Sequence, residues 1–349
     1  MSFTTTDASA VSRVGSYEQS MGKDVCIFLH SLAILAFLWR QDLIAIPIQK
    51  RSVFYHAKTL YLFTKSDFKS VIIPQAVFAL AAIWSGLAAP PKTPIPTHES
   101  LLHRVPLALF WLWLHILVEN MSNQRHRLSI EEDKLNKPWR PIPAGRISAH
   151  ESLQVLKCGA IPVALLLSAL LGVSQASATL MVCVWLYNDL DAASTSPILR
   201  NLVTASGIGC FGWGATTILL GSGVKEYAAD AIMSKDGILW LVLNMAVVAT
   251  TVHVSDFPDV VGDNLRGRKT LPLVWGERPA RWSVAGAVLF WSLVCPAFVR
   301  AGIMGWMLVS SLGLFKIILV LGMYGQRADR WNWRLWGLWM IALYLLPLF

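Results

Sequence analysis

Nine stretches of mainly apolar residues, at about 68–91, 104–122, 153–172, 175–191, 200–221, 236–255, 281–299, 303–323 and 331–349, dominate the chain from residue 68 onward. Each is near the ~20 residues that an α-helix needs to cross the hydrocarbon core of a bilayer. There the backbone must satisfy its own hydrogen bonds, so the predicted fold class is an all-α membrane protein with nine transmembrane helices in one bundle. Composition agrees: with 55% hydrophobic and 15% charged residues, and a mean hydropathy of +0.51, the chain is too apolar for a soluble domain of its length.

The loops differ sharply in charge. Those after the second, fourth, sixth and eighth stretches carry fifteen Lys or Arg, from Arg125 to Arg146, Arg200, Arg266 to Arg281, and Arg327 to Arg334. The opposite loops carry five: Lys92, Arg104, Lys225, Lys235 and Arg300. By the positive-inside rule the first set faces the cytosol, and in a eukaryotic cell the expected membrane is the endoplasmic reticulum. The net charge of +9 is thus spent on topology and anionic groups, and neither a nucleic acid nor a protein partner is expected. Two long polar loops, 123–152 and 256–280, each follow a span, which suggests two pseudo-repeated four-helix halves plus a ninth helix, with both loops at one end of the bundle.

Residues 1–66 are read as a polar tail followed by an interfacial or re-entrant helix at 25–48, where Arg40, Gln41 and Asp42 break an apolar run, and 67–349 as the catalytic domain. The tail lacks the apolar core of a signal peptide. Cys26, Cys158, Cys183, Cys210 and Cys295 show no CxxC spacing and are read as small core residues.

The 256–280 loop carries the chemistry. Asp256, Asp259 and Asp263 follow directly on an apolar span and, at helical spacing, would share one face. Bare, they repel one another; a hard divalent cation such as Mg²⁺, bound by a few carboxylates and substrate phosphates, removes that repulsion. Arg266, Arg268 and Lys269 come next, so metal ligands precede anion binders, as a diphosphate site requires. The other long loop contributes Asn123, Asp133, Lys137 and Arg140, and the end of the fourth span adds Asn188 and Asp189. For the last two, helix capping is the alternative role. His115, Glu119 and Asn123 form an i, i+4, i+8 polar stripe, either the wall of a substrate chamber or a hydrogen-bonded seam between helices.

Asn123-Gln124, Glu132-Asp133 and Asn136-Lys137-Pro138-Trp139-Arg140-Pro141 in one loop resemble the UbiA superfamily of intramembrane prenyltransferases. So does Asp256 to Asp263 with Gly262, Gly267, Arg268 and Thr270-Leu271-Pro272 in the other, from about residue 67 to the end. The resemblance implies a nine-helix bundle, a cytosol-facing diphosphate site bound through Mg²⁺, and an apolar chamber for an isoprenoid tail. Its metal ligands would be Asp133, Asp256, Asp259 and Asp263, with Asn123, Lys137, Arg140, Asn188, Asp189, Arg268 and Lys269 on the diphosphate. The first motif departs from the pattern, since Ser129 stands where an aspartate is expected and Glu131 or Glu132 would supply the missing ligand.

That departure is similar to a fungal branch containing membrane-bound sesquiterpene cyclases. In the shared step an allylic C–O bond breaks, and Trp111, Trp113, Trp185, Trp213, Trp240 and Phe211 are candidates to face the cation. Capture by the tail's own double bonds makes a terpene cyclase, with farnesyl diphosphate as the expected substrate; capture by an aromatic acceptor makes a prenyltransferase. A third alternative is an ion- or proton-coupled transporter using His115 and Glu119.

Overall fold

The computed structural model describes residues 51–90, 96–221 and 233–349, so the expected tail and the helix at 25–48 lie outside the described residues. Everything described is helix, turn or loop. The first helices in chain order are α1 (Val53–Thr64), α2 (Phe68–Trp84), α3 (His98–Gln124), α4 (Arg127–Asn136) and α5 (Ala149–Leu170). After them come α6 (Ser174–Asn188), α7 (Ala192–Thr195), α8 (Pro197–Leu220) and α9 (Lys235–Thr251). Two 3₁₀ turns, Val252–Ser255 and Phe257–Asp259, lead into α10 (Val260–Arg266), α11 (Leu271–Trp275), α12 (Glu277–Val299), α13 (Ile303–Gly322) and α14 (Gln326–Leu345).

Local chemistry sets these boundaries. Ser148 and Glu151 form a reciprocal capping box at the start of α5, and Ser196 caps α8 ahead of Pro197 at its first position. Wide π turns at Phe68–Ile72 and Leu156–Ala160 each run into a proline, Pro74 and Pro162, which offers no N–H to the preceding turn.

Helices occupy all nine expected stretches, but fewer qualify as membrane spans. Six of the described helices are long and apolar enough to cross, or seven if the pair α1 and α2, bent by 53°, counts as one. The physical reasons are specific. α6 has only 15 residues, short of the ~20 a crossing needs, and α14 opens on Gln326-Arg327-Ala328-Asp329-Arg330, too polar for hydrocarbon. The molecule is a multi-pass integral membrane protein, with six to seven helices among the described residues long and apolar enough to cross.

The unit that carries the site runs from His56 to Phe349. In its N-terminal half Trp111, Leu112, Phe211 and Ile218 pack between α2, α3 and α8, and Gly214 permits the approach, since a Cβ there would stand 2.3 Å from the Trp111 ring. In the C-terminal half Trp240, Val284, Trp336 and Trp339 join α9, α12 and α14. The halves are tied where Gln75 Nε2 donates to the Tyr344 hydroxyl at 3.1 Å and Phe78 meets the Tyr344 ring edge-on at 5.3 Å, which sets α14 against α2. α1 was not foreseen: its Phe63 is fully buried against Leu114, Leu117 and Met121 of α3.

Candidate active site

Glycine brings the two long loops together. Gly262 in α10 lies against α4 so closely that a Cβ on it would stand 2.2 Å from Asn136 Nδ2 and 3.0 Å from Glu132 Cγ. At the far end of α10, Gly267 adopts a left-handed conformation (φ +73°), closing the helix with Gly267 N–H to Asn264 O and Arg268 N–H to Asp263 O, both 3.0 Å. The chain thereby folds back, and Arg268 lies over the helix it has just left.

An ion-pair network spans the junction. Arg268 Nη1 donates to Asp263 Oδ1 at 3.0 Å and Glu132 Oε1 at 3.3 Å; Arg266 Nη1 donates to Ser129 Oγ at 2.6 Å and Glu132 Oε2 at 3.2 Å. Arg140 Nη1 holds both oxygens of Asp133, at 2.8 and 2.9 Å, and Lys137 Nζ stands 3.7 Å from Asp259 Oδ2. Asp256 is held from another helix by Arg200, whose Nη2 and Nε reach Oδ1 at 2.9 and 3.3 Å. Burial alone would raise the Glu132 carboxyl, but Arg268, Arg266 and Lys137 outweigh it and bring it below the usual range.

Expectation and geometry differ in several places. The three aspartates do not share an α-helical face: Asp256 lies between two 3₁₀ turns, Asp259 ends the second, and only Asp263 is α-helical. Pro258 has no N–H for an α-type bond, and 3₁₀ turns rotate each residue farther than the α period assumed. Ser129, in the place of the expected aspartate, receives Arg266; Glu132 is buried in the network, while Glu131 is exposed and paired with Lys134 at 2.9 Å. Lys269 is not brought in: its N–H donates to Ser194 O at 2.9 Å and its side chain is exposed. Asp189 is exposed too and pairs with Arg125, whereas Asn188 accepts from Asn123 Nδ2 at 2.9 Å. His115 is a seam between helices, with Nε2 2.7 Å from Ser177 Oγ and Nδ1 2.8 Å from Trp111 O.

Residues that sequence reasoning passed over also belong here. Arg200 had been read as a loop charge, and Asp67 had no reading at all. An arginine at the mouth of an apolar span needs a counter-charge, and that was the one available signal for Arg200.

Among the described residues no three carboxylate, histidine or cysteine side chains converge as a ready-made cation site. The junction does leave buried polar atoms without hydrogen-bond partners among the described residues. They include the acceptors Asp256 Oδ2 and Asp263 Oδ2 and the donors Asn136 Nδ2, Arg140 Nε and Arg268 Nε. Each costs about 1–3 kcal/mol if left so. Free carboxylate oxygens suit a hard cation and free guanidinium and amide N–H groups suit phosphate oxygens, so the residues present fit both.

Below the junction lies a cavity of about 160 Å³ between α2, α3, α6 and α8, walled by Ile116, Leu180, Val184, Ile208 and Phe211, with Asp67, Glu119, Tyr187 and Thr204 as its polar members. Of the aromatic residues considered for the cation, Phe211 lines it. Trp111 and Trp113 donate to Ser168 and Thr64, Trp240 stacks on Phe298, Trp213 packs in the N-terminal core, and Trp185 is exposed.

The model of the UbiA prenyltransferase family matches residues 76–345, and the chain belongs to that family. Among its relatives is the fumagillin beta-trans-bergamotene synthase of Aspergillus fumigatus, 30% identical over 84% of this chain and 92% of the relative. The somaliensene A/B synthase of Streptomyces somaliensis is 27% identical over 83% and 91%, and a polyprenyl transferase of Hericium erinaceus is 30% identical over 64% and 70%. In fold the chain resembles a UbiA homolog from Archaeoglobus fulgidus bound to GPP and Mg²⁺, with a TM-score of 0.54 at 13% identity over 83% of this chain and all of the other.

Proposed function

We propose that the protein is a membrane-bound terpene cyclase that ionises an isoprenyl diphosphate, farnesyl diphosphate first among candidates, and releases a cyclic sesquiterpene and diphosphate. The observation that carries this reading is the pairing, at one buried junction, of free carboxylate oxygens with free guanidinium and amide donors above an apolar cavity. Asp256 and Asp263, with Asp259, Asp133 and Glu132, would hold Mg²⁺. When bound, the metal neutralises the diphosphate and stabilises the leaving oxygen, an effect of several kcal/mol.

The chain's own residues do the rest. Arg140 and Arg268 each keep an unused Nε–H, and arginine offers phosphate a planar, permanently charged fork. As the C–O bond breaks, Arg268, Arg140 and Lys137 exchange part of their pairing with carboxylates for the growing negative charge on the leaving group. Asn123 and Asn188, bonded to one another, stand where α3 meets α6 and orient the same group. The tail enters the cavity, where Phe211 faces the nascent cation.

Cyclisation is favoured over transfer because the two terpene synthases align over more than nine-tenths of their own lengths, against 70% for the polyprenyl transferase. Transfer to an aromatic acceptor is the second reading, supported by that transferase's 30% identity. A transporter is disfavoured, because His115 is tied between helices and the carboxylates gather at one end of the bundle. The charge of the loops supports a cytosolic position for that end, and the nine helices would then share one bundle. The reading is tested by diphosphate release from farnesyl diphosphate without acceptor: it should require Mg²⁺ and vanish in chelator, and release undiminished by chelator refutes the metal-held site.

A further inference from the structure

The cavity beneath the junction holds two carboxyl groups in unlike surroundings. Asp67 is fixed by three donors, Asn120 Nδ2 at 2.8 Å, Ser70 Oγ at 3.1 Å and Ser66 Oγ at 3.3 Å. Glu119 lines the same cavity, and among the described residues no hydrogen bond holds its carboxyl. The surrounding wall is mainly apolar, with Val71, Ile116, Leu180, Val184, Ile208 and Phe211 beside Cys183, Tyr187 and Thr204. Arg140, Lys137 and Arg268 of the junction lie within electrostatic reach of Glu119. An unbonded carboxyl facing an apolar chamber is expensive to keep without a task.

We propose that Glu119 is the base that ends the reaction, taking a proton from the cyclised cation inside this cavity. The proposal rests on the cyclase reading and adds a residue to it. The diphosphate departs with the C–O bonding pair, and ring closure uses a π pair of the tail. A C–H bond next to the charged carbon then breaks: its electron pair becomes the new C=C bond and its proton joins the Glu119 carboxylate. On product release the proton passes to the departing diphosphate or to water at the junction. Asp67, with its oxygens already accepting three hydrogen bonds, acts as a fixed negative charge facing the cation and does not compete for the proton. Tyr187 lines the same cavity and accepts from Arg200 Nη1 at 2.8 Å, and Arg200 holds Asp256 Oδ1 at 2.9 Å, so Asp256 is held by Arg200 while Glu119 lines the cavity.

The test uses the full chain in membranes with farnesyl diphosphate and Mg²⁺ and no acceptor, reading diphosphate release and organic products separately. In Glu119→Gln diphosphate should still be released, because ionisation precedes the step assigned to Glu119, and the readout is the organic product formed per diphosphate released. The wild-type hydrocarbon should fall at least tenfold, a modest loss for a general base, and be replaced by water-captured alcohols or by alkenes deprotonated elsewhere. Glu119→Asp should restore part of the original product, a recovery that a merely structural role does not give. An unchanged hydrocarbon profile in Glu119→Gln overturns the proposal, and so does loss of diphosphate release in both variants, since Glu119 would then act before the cation exists. If the wild-type protein makes no hydrocarbon at all, the cyclase reading fails, and the proposal with it, before any variant is made.

Discussion

Arg200 on α8 holds Asp256 through two nitrogens on a single oxygen, Oδ1, at 2.9 and 3.3 Å, and leaves Oδ2 buried without a hydrogen bond among the described residues. One half of the carboxylate is anchored and the other is free. The same guanidinium donates to Tyr187, so the segment carrying the aspartates is tied to the wall of the cavity. Removing one partner of a buried pair costs about 3–5 kcal/mol. Arg200→Met should therefore lower the unfolding temperature in detergent by several degrees and abolish diphosphate release, with Arg200→Lys intermediate. A Met variant as stable and active as the parent would remove Arg200 from the site.

Asp263 gives a cleaner separation of stability from chemistry. Asp263→Asn keeps the volume and can still accept from Arg268, so the protein should remain folded in the membrane. Diphosphate release should nonetheless fall about 100-fold or more, the scale of losing one preorganised electrostatic group, and the Mg²⁺ concentration for half-maximal rate should rise. Wild-type Mg²⁺ dependence in this variant would exclude Asp263 as a ligand.

Gly262 is where loop contact becomes measurable. A methyl group there meets Asn136 Nδ2 at 2.2 Å, so Gly262→Ala must push α4 from α10 or turn Asn136 out of the junction. Overpacking of this kind costs roughly 1–3 kcal/mol. Activity should drop by more than that stability loss implies, because Glu132 and Arg268 separate as well. Comparable activity at comparable stability would show that the two loops need not touch.

Arg281 is fully buried, bonded to Asp329 Oδ1 at 2.7 Å and to Val320 O at 3.0 Å, and its guanidinium stands 4.5 Å from the Phe257 ring between Asp256 and Asp259. Arg281→Met leaves Asp329 buried without that charge, and the expected loss is again about 3–5 kcal/mol. In Arg281→Met/Asp329→Leu, with both charges gone, thermal unfolding should return most of it, and no recovery would mean that the carbonyl contacts dominate.

What could be read in advance followed from short-range rules. Apolar runs of bilayer length announced the helices, and Asp256, Asp259 and Asp263 stood out because ionisable groups beside an apolar span are costly. Their shared face was misread because Pro258 imposes 3₁₀ geometry that a 100° period does not describe. The Arg200–Asp256 pair lies 56 residues apart, and no spacing encodes it. Whether Glu131 or Glu132 faced inward turned on the packing of α4 against α10. Asp67 stayed hidden because it precedes the first apolar run, where a charge is unremarkable.

The central claim, that the cation is captured by its own chain, is tested most directly by product analysis. Membranes carrying this protein, given farnesyl diphosphate and Mg²⁺ without acceptor, should release a cyclic hydrocarbon detectable by gas chromatography and mass spectrometry, and Asp133→Ala should abolish it. If farnesyl, geranyl and geranylgeranyl diphosphates all yield no hydrocarbon while an added aromatic acid or phenol becomes prenylated, the cyclase account is contradicted and transfer takes its place.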